Sequence, residues 1–289
     1  MSFDYENAFS RNLGWLSREE QVKISKVRIG IPGMGGVGGH HVHTLARLGF
    51  SHFKLADFDQ FDEHNFNRQI GASISTIGQS KVEVMKNLLL DINPDSTVEI
   101  FSEGVNESNY DSFLKDLDIL IDGLDIYVIK PRIALFDRAH KLGIPVLTAG
   151  PFGMGTSFMC FSPNSVSFSD YFNINNQMDS QELLIRFMAG ISPTPIHTKY
   201  MFYEDEIDFK TGKVPSLHVG ALAATTIIGS NVLKLVLKRG NLKFAPFSYH
   251  YDFYLNKLKV NWRPWGNRNY LQRFLISRIR KKVLELSSD

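Results

Sequence analysis

The sequence predicts a doubly wound α/β domain with a mostly parallel sheet, an antiparallel extension towards the C-terminus and a long crossover insertion before it. Three observations carry this. Short β-branched or aromatic runs ending in Gly or Asp alternate with helical stretches through residues 27–149. The first run, from Val27, passes directly into Gly33-Met34-Gly35-Gly36-Val37-Gly38. After Gly150 the alternation stops, and Asn, Ser, Pro and short helical pieces fill the chain to Pro215. Alternating strands and helices give a parallel sheet covered on both faces, with ligands at the carboxyl ends of its strands.

In chain order, strands are expected near 27–32, 52–57, 97–102, 118–122 and 145–149, with helices near 37–49, 79–92, 107–115 and 130–142 between them. Thr156–Phe161 reads as a further strand. The stretch 162–215 is long for a loop in a compact protein, which suggests a lid or binding element. A helix over 216–239 is closed by Gly240, and Phe247–Trp262 alternates as a hairpin does. Arg263 to Lys282 is rich in Arg and Lys, with Trp265, Tyr270 and Phe274 among them. This is an amphipathic closing helix with a solvated basic face, or a contact for RNA or a phosphorylated substrate. The organisation expected is a core over 1–161, the insertion over 162–215, and residues 216–289 completing the same domain.

At 289 residues and 43% hydrophobic, the chain can supply a full core. A net charge of +2 demands no polyanionic partner. The single cysteine, Cys160, excludes an intrachain disulfide and a Cys-based zinc cluster. Met1–Arg11 has no apolar core of a secretion signal, so a cytoplasmic protein is expected. The uncharged stretch Val214–Leu233 contains His218, Thr225, Thr226, Ser230 and Asn231, which favours a buried helix over a membrane span.

The glycine segment points to chemistry. Gly33 and Gly35 can adopt turn dihedrals closed to other residues, so main-chain N–H groups can approach an anion at the positive end of the next helix. Gly36 and Gly38 are expected to allow close helix–strand packing. Asp57, nineteen residues beyond Gly38, ends the second strand where a Rossmann-like site holds ribose hydroxyls. Arg68 and Lys81 bring two cations near the strand ends, suited to phosphate; the alternative for Arg68 is a surface salt bridge with Asp62 or Glu63. Lys81 in the first turn of a helix opposes the dipole, which suggests an anionic ligand. Asp125 follows the fourth strand and could hold Mg²⁺ between phosphates, with Asp122 as competitor, or either could cap the next helix.

The order GMGGVG, LADFD, NFNRQ, GQSK and IDGLD resembles the adenylating superfamily of ThiF, MoeB and the ubiquitin-activating enzymes, over about Asn7–Pro163 and more loosely over Pro215–Trp262. The resemblance implies an ATP site. Gly33, Gly35, Gly36 and Gly38 would admit the phosphates, Asp57 and Asp59 would lie at the nucleotide, Asn65, Arg68 and Lys81 would hold it, and Asp125 would take Mg²⁺. It also implies that Arg11 reaches the site of a second subunit, hence a homodimer. The implied reaction is activation of a carboxylate, such as a peptide or protein C-terminus or a modified nucleoside, as an acyl-adenylate with release of pyrophosphate. The chain departs from its relatives in three ways: Cys160 lies in an apolar run, zinc-binding CxxC pairs are absent, and Ile126 stands where Asn is usual. Direct transfer to an acceptor follows, as in enzymes that cyclise threonylcarbamoyladenosine in tRNA or modify peptide ends. The basic tail favours tRNA, and His197, Lys199, Tyr200 and Tyr203 are candidate acceptor contacts. The rival readings are an NAD-dependent oxidoreductase using the same glycines and Asp57, and a nucleotide-binding partner subunit without turnover.

Overall fold

The computed structural model describes residues 3–175, 177–202 and 215–288. In order, the elements are α1 (Tyr5–Ala8), α2 (Arg18–Ser25), β1 (Arg28–Pro32), α3 (Gly38–Leu48), β2 (His52–Ala56), α4 (Lys81–Ile92), β3 (Thr97–Phe101), α5 (Tyr110–Leu114), β4 (Ile119–Ile121) and α6 (Ile129–Lys141). Then come β5 (Val146–Phe152), β6 (Gly155–Phe161), α7 (Phe168–Phe172), α8 (Ser180–Ile191), α9 (His218–Leu237), β7 (Phe247–Asp252), β8 (Lys257–Trp262) and α10 (Tyr270–Ser288). The strands form one sheet in the order β3-β2-β1-β4-β5-β6-β7-β8. The expected parallel sheet with an antiparallel extension is what the chain forms. Two compact units are distinguished: Met1–Leu124 with Val146–Thr148 and Thr225–Leu242, and Asp125–Pro145 with Ala149–Ala224 and Lys243–Asp289.

In the first unit, β1 pairs in parallel with β2 from Arg28↔His52 to Pro32↔Ala56, and β2 with β3 from His52↔Thr97. Ile29 and Ile31 of β1 and Leu55 of β2 are fully buried, as a sheet covered on both faces requires. The N-terminal helices were not foreseen, and they have a clear task. The last carbonyls of α3 lack intrahelical donors, and Leu48 O receives Asn12 Nδ2 and Gln21 Nε2, each at 3.1 Å, while Gly49 O receives Tyr5 Oη at 2.7 Å. Ser17 and Glu20 start α2 with a reciprocal capping box. By length and composition α9 could cross a bilayer, yet 56% of its apolar window is buried in the protein. Its polar Thr225 lies against α3, with Oγ1 3.1 Å from His41 Nδ1.

In the second unit, β5 and β6 neighbour one another across the two-residue turn Gly153–Met154, and β6 pairs antiparallel with β7 from Gly155↔Asp252. β7 and β8 form the expected hairpin, from Phe247↔Trp262 to Asp252↔Lys257. The crossover stretch contains α7 and α8. The apolar side of α10, Ile276 and Val283 with Leu275 and Ile279, packs on Ile185 and Ala189 of α8, so the amphipathic closing helix is realised.

Candidate nucleotide site

The site is built at the end of β1. Gly33 has φ +90°, and a Cβ there would strike the carbonyl oxygen of Gly123; one on Gly38 would strike the carbonyl oxygen of Gly33. These two glycines are fixed by packing. The other two are not. A Cβ on Gly35 would meet only Gln69 Nε2, at 3.8 Å, and one on Gly36 only the side chain of Arg68, from 3.5 Å. Gly36 therefore belongs to the open edge of the turn, not to the helix–strand contact expected of it. Val37 caps α3 without a side-chain acceptor, and the amides of Gly35, Gly36 and Val37 meet no acceptor among the described residues. Three successive unpaired N–H groups at the positive end of a helix make an anion nest.

Asp57 holds this nest in place. Its Oδ2 accepts the amide of Met34 at 2.6 Å and its Oδ1 that of Asp59 at 2.8 Å, while Gly33 N donates to Ala56 O at 2.6 Å. Burial pushes the Asp57 carboxyl above its ordinary value, and the two amides and the nearby Lys81 only partly oppose that shift. Asp57 thus latches the turn to β2; a ribose would use the remaining lone pairs of its oxygens.

Arg68 lies along Gly36. Its Nη1 donates to His64 O and Asn67 Oδ1, both at 2.9 Å, and among the described residues it forms no ion pair. The salt bridge considered from sequence is absent: Asp62 instead pairs with His64 at 3.3 Å. Lys81 opens α4 with its side chain only 8% exposed, and its Nζ is 3.1 Å from Asp59 Oδ2. Asp59 thereby steadies a cation that the helix dipole disfavours. Asn65 is buried and accepts the amide of Asp62 in a capping box, so it shapes the loop that carries Arg68.

Two contributors escaped the sequence reading. His40 is buried on α3, and its Nε2 is 3.0 Å from the carbonyl oxygen of Arg68, which ties that loop to the helix. Gln69 is buried beside Gly35, and its Oε1 has no partner among the described residues. A buried amide oxygen without a donor fits a site that completes itself with ligand or water. The signal for Gln69 lay in the NFNRQ motif; His40 had none, because a histidine on a helix is ordinarily a packing residue.

Asp122 is occupied structurally: it accepts Leu124 N at 3.1 Å and Thr148 Oγ1 at 2.7 Å. Asp125, which opens the second unit, is exposed, and its Oδ1 accepts only a local amide, Tyr127 N, at 3.0 Å. It does not cap α6, whose N-cap is Val128. The Asp125 carbonyl accepts Arg132 Nη2 at 3.0 Å, and that buried guanidinium lies over the Phe187 ring at 4.8 Å. Among the described residues no group of three His, Cys, Asp or Glu could hold a metal ion. A lone exposed carboxylate can supply at most one side-chain ligand group to a hydrated Mg²⁺.

Arg11 is exposed on a single turn over Ser10–Asn12. Cys160 is buried in β6, where desolvation raises its thiol far above the ordinary value. His197 stacks on His250 with centroids 5.4 Å apart, Tyr200 Oη donates to Asp252 Oδ2 at 2.8 Å, and Lys199 is exposed. Tyr203 lies outside the described residues.

A strand, an open glycine turn and a helix, with cations beside the turn, define an α/β protein of the nucleotide-binding class. The chain belongs to the ThiF family, whose model matches residues 9–269. It is similar to the tRNA threonylcarbamoyladenosine dehydratase of Bacillus subtilis (strain 168), 35% identical over 142 residues that make up 49% of this chain and 55% of that protein. The chain thus spans little more than half the length of that relative. Among solved structures, PaaA aligns with a TM-score of 0.68 at 17% identity, covering 90% of this chain and 84% of that one. E. coli MccB with ATP aligns with a TM-score of 0.64 at 19% identity, covering 90% and 73%. At these identities the likeness shows a shared fold.

Proposed function

We propose that the protein activates a carboxylate with ATP, forming an acyl-adenylate and releasing pyrophosphate. The observation that carries this reading is the open Gly35–Gly36 edge, where three amides with no acceptor among the described residues, the Arg68 guanidinium, which makes two local hydrogen bonds but no ion pair among those residues, and the buried ammonium of Lys81 belong to one unit. An oxidoreductase would leave Arg68 and Lys81 without a task.

The amides and Arg68 would bind the triphosphate, and Asp57 would keep the nest at its working distance. As a substrate carboxylate oxygen bonds to the α-phosphorus, the bond to the bridging oxygen breaks and negative charge grows on the departing pyrophosphate. Lys81 and Arg68 would stabilise that charge. Asp125 would hold Mg²⁺, which supplies further charge neutralisation. The buried, protonated Cys160 leaves no thiolate to receive the acyl group, so transfer would go directly to an acceptor.

A second reading is favoured by the similarity to a tRNA threonylcarbamoyladenosine dehydratase. An adenylated carboxyl attacked by a group of its own molecule expels AMP and closes a ring, and water is lost overall at the expense of ATP. This reading suits the absence of a reactive thiol better than transfer to a protein does.

Carboxylate-dependent exchange of labelled pyrophosphate into ATP tests the proposal, with threonylcarbamoyl nucleoside and short peptides as alternative acids. Exchange with any of them supports adenylation, and the productive acid decides between the two readings. ATP binding without exchange would leave a nucleotide-binding partner subunit, and NADH binding without exchange an oxidoreductase.

A further inference from the structure

The side of α10 turned away from α8 is not the polar one that a surface helix ordinarily presents. Its inner side carries Gln272, Ile276 and Val283, all buried, and at 3.6 residues per turn the opposite crest falls on Tyr270, Phe274 and Lys281. Tyr270 is 83% exposed and Phe274 66%, and Leu271 beside them is exposed as well. The start of the helix is firmly held. Gln272 Nε2 donates to Ala189 O at 2.8 Å, and Asn267 Nδ2 to Phe172 O at 2.7 Å, both in buried surroundings. Just before this anchor Trp265 takes the left-handed backbone at φ +64°, with its side chain exposed. That conformation is disfavoured for a residue other than glycine, and packing of the indole does not offset its cost.

Cations flank the crest on both sides. By the same periodicity Arg273 falls to one side of Tyr270 and Phe274 and Arg278 to the other, while Lys281 and Lys282 follow along the helix; all four are exposed. Arg278 lies over the Phe274 ring at 6.0 Å. Glu182 and Asp170 face other arginines, Arg280 at 2.9 Å and Arg268 at 3.9 Å, and Arg273 and Arg278 form no ion pair among the described residues. From Phe253 to Val283 the sequence has no Asp or Glu. Exposed apolar side chains and cations of one sign therefore share one face of one helix.

We propose that this crest docks the protein on an anionic phospholipid bilayer, with Tyr270, Leu271 and Phe274 entering the boundary between headgroups and acyl chains and Arg273 and Arg278 meeting lipid phosphates. Aromatic and aliphatic side chains with Arg and Lys beside them on a helix lying in the interface plane are the pattern of peripheral attachment, and the surface they complement is at once apolar and negative. A single-stranded RNA needs free ring faces on which bases stack; Leu271 offers none, and Arg278 already lies over Phe274. The attachment is to one leaflet and spans nothing. It is independent of adenylation, and its test needs no ATP.

Co-sedimentation of the full chain with phosphatidylcholine vesicles containing about 30% phosphatidylserine is the experiment. The protein should pellet with these vesicles, remain in the supernatant with pure phosphatidylcholine, and be released as salt rises from about 50 to 500 mM. Arg273→Ser with Arg278→Ser should weaken the partition roughly thirtyfold, and Tyr270→Ser with Phe274→Ser about tenfold or more. All four side chains are exposed, so both variants should keep the wild-type circular dichroism. The proposal is overturned by no pelleting on the anionic vesicles, by equal pelleting on pure phosphatidylcholine, or by unchanged partition of either variant. Binding of a single-stranded RNA that both variants lose, with the vesicles ignored, would also overturn it and assign the face to nucleic acid. Absence of pyrophosphate exchange in the unmodified protein would refute adenylation alone and leave the membrane contact to be judged on its own.

Discussion

The four glycines after β1 divide into two kinds, and single substitutions separate them. Gly33→Ala puts a methyl into the Gly123 carbonyl at a φ that L-residues avoid, so it should cost at least ~1–3 kcal/mol, seen as a lowered melting temperature. Gly36→Ala meets only the flexible Arg68 side chain, so it should melt normally yet depress pyrophosphate exchange, because the methyl occupies the open edge of the nest. A Gly36→Ala variant with full exchange would show that the edge is not where the phosphates lie. Arg68→Ala and Lys81→Ala should each lower exchange by about 10²–10³ with little change in melting, since Arg68 makes only local bonds and Asp59, half exposed, keeps access to water. Full activity in both would remove the phosphate roles. Sequence singled out these residues but could not sort the glycines, because packing against Gly123 is a contact between distant strands. For the same reason Asp57 could be read as a ribose ligand and not as the latch on Met34.

At the scale of elements, the alternation of strands and helices was legible because burial on both sheet faces imposes it; α2 also had a local signal, the Ser17 and Glu20 capping box, that went unused, whereas the long-range bonds of Tyr5, Asn12 and Gln21 to the carbonyls of Leu48 and Gly49 are announced by no local pattern. The length of the crossover stretch suggests a lid or binding element; the structure adds that part of it is fastened onto the sheet by buried polar groups. His250 Nδ1 lies 3.0 Å from Ser192 Oγ and 3.2 Å from Ser157 Oγ, and His197 stacks above it. Desolvation lowers both imidazoles to about 4. An unfolded chain protonates its histidines near pH 6.5, so between pH 6.5 and 4 protons bind the unfolded chain first. Stability fully present above pH 6.5 should then fall with pH, by on the order of 1 kcal/mol per pH unit for each ring. Denaturant midpoints measured from pH 7.5 to 4.5 check this, and His250→Gln should make the decline shallower. An unaltered slope in that variant would place the acid sensitivity elsewhere.

At the scale of the whole molecule, the proposed chemistry leaves Arg11 without an occupation in its own chain. Asn12 pins the turn through Leu48 O, which fixes Arg11 on the surface, and the nearby Trp15 is 85% exposed. An exposed tryptophan on a braced N-terminal segment is an uneconomical surface for an isolated chain and a suitable one for a second copy. If two chains share each site, with Arg11 given by one and Lys81 by the other, Arg11→Ala and Lys81→Ala should each lose exchange alone. Co-expressed, the two variants should recover about a quarter of wild-type activity, because random pairing makes half of the dimers mixed and each mixed dimer rebuilds one of its two sites. Differently tagged copies, purified through both tags, isolate the mixed dimer, which should show about half of wild-type exchange. A mixed dimer as inactive as its parents would confine Arg11 to its own subunit, and a wild-type chain monomeric by sedimentation at assay concentration would end the shared-site proposal while leaving the roles of Arg68 and Lys81 intact.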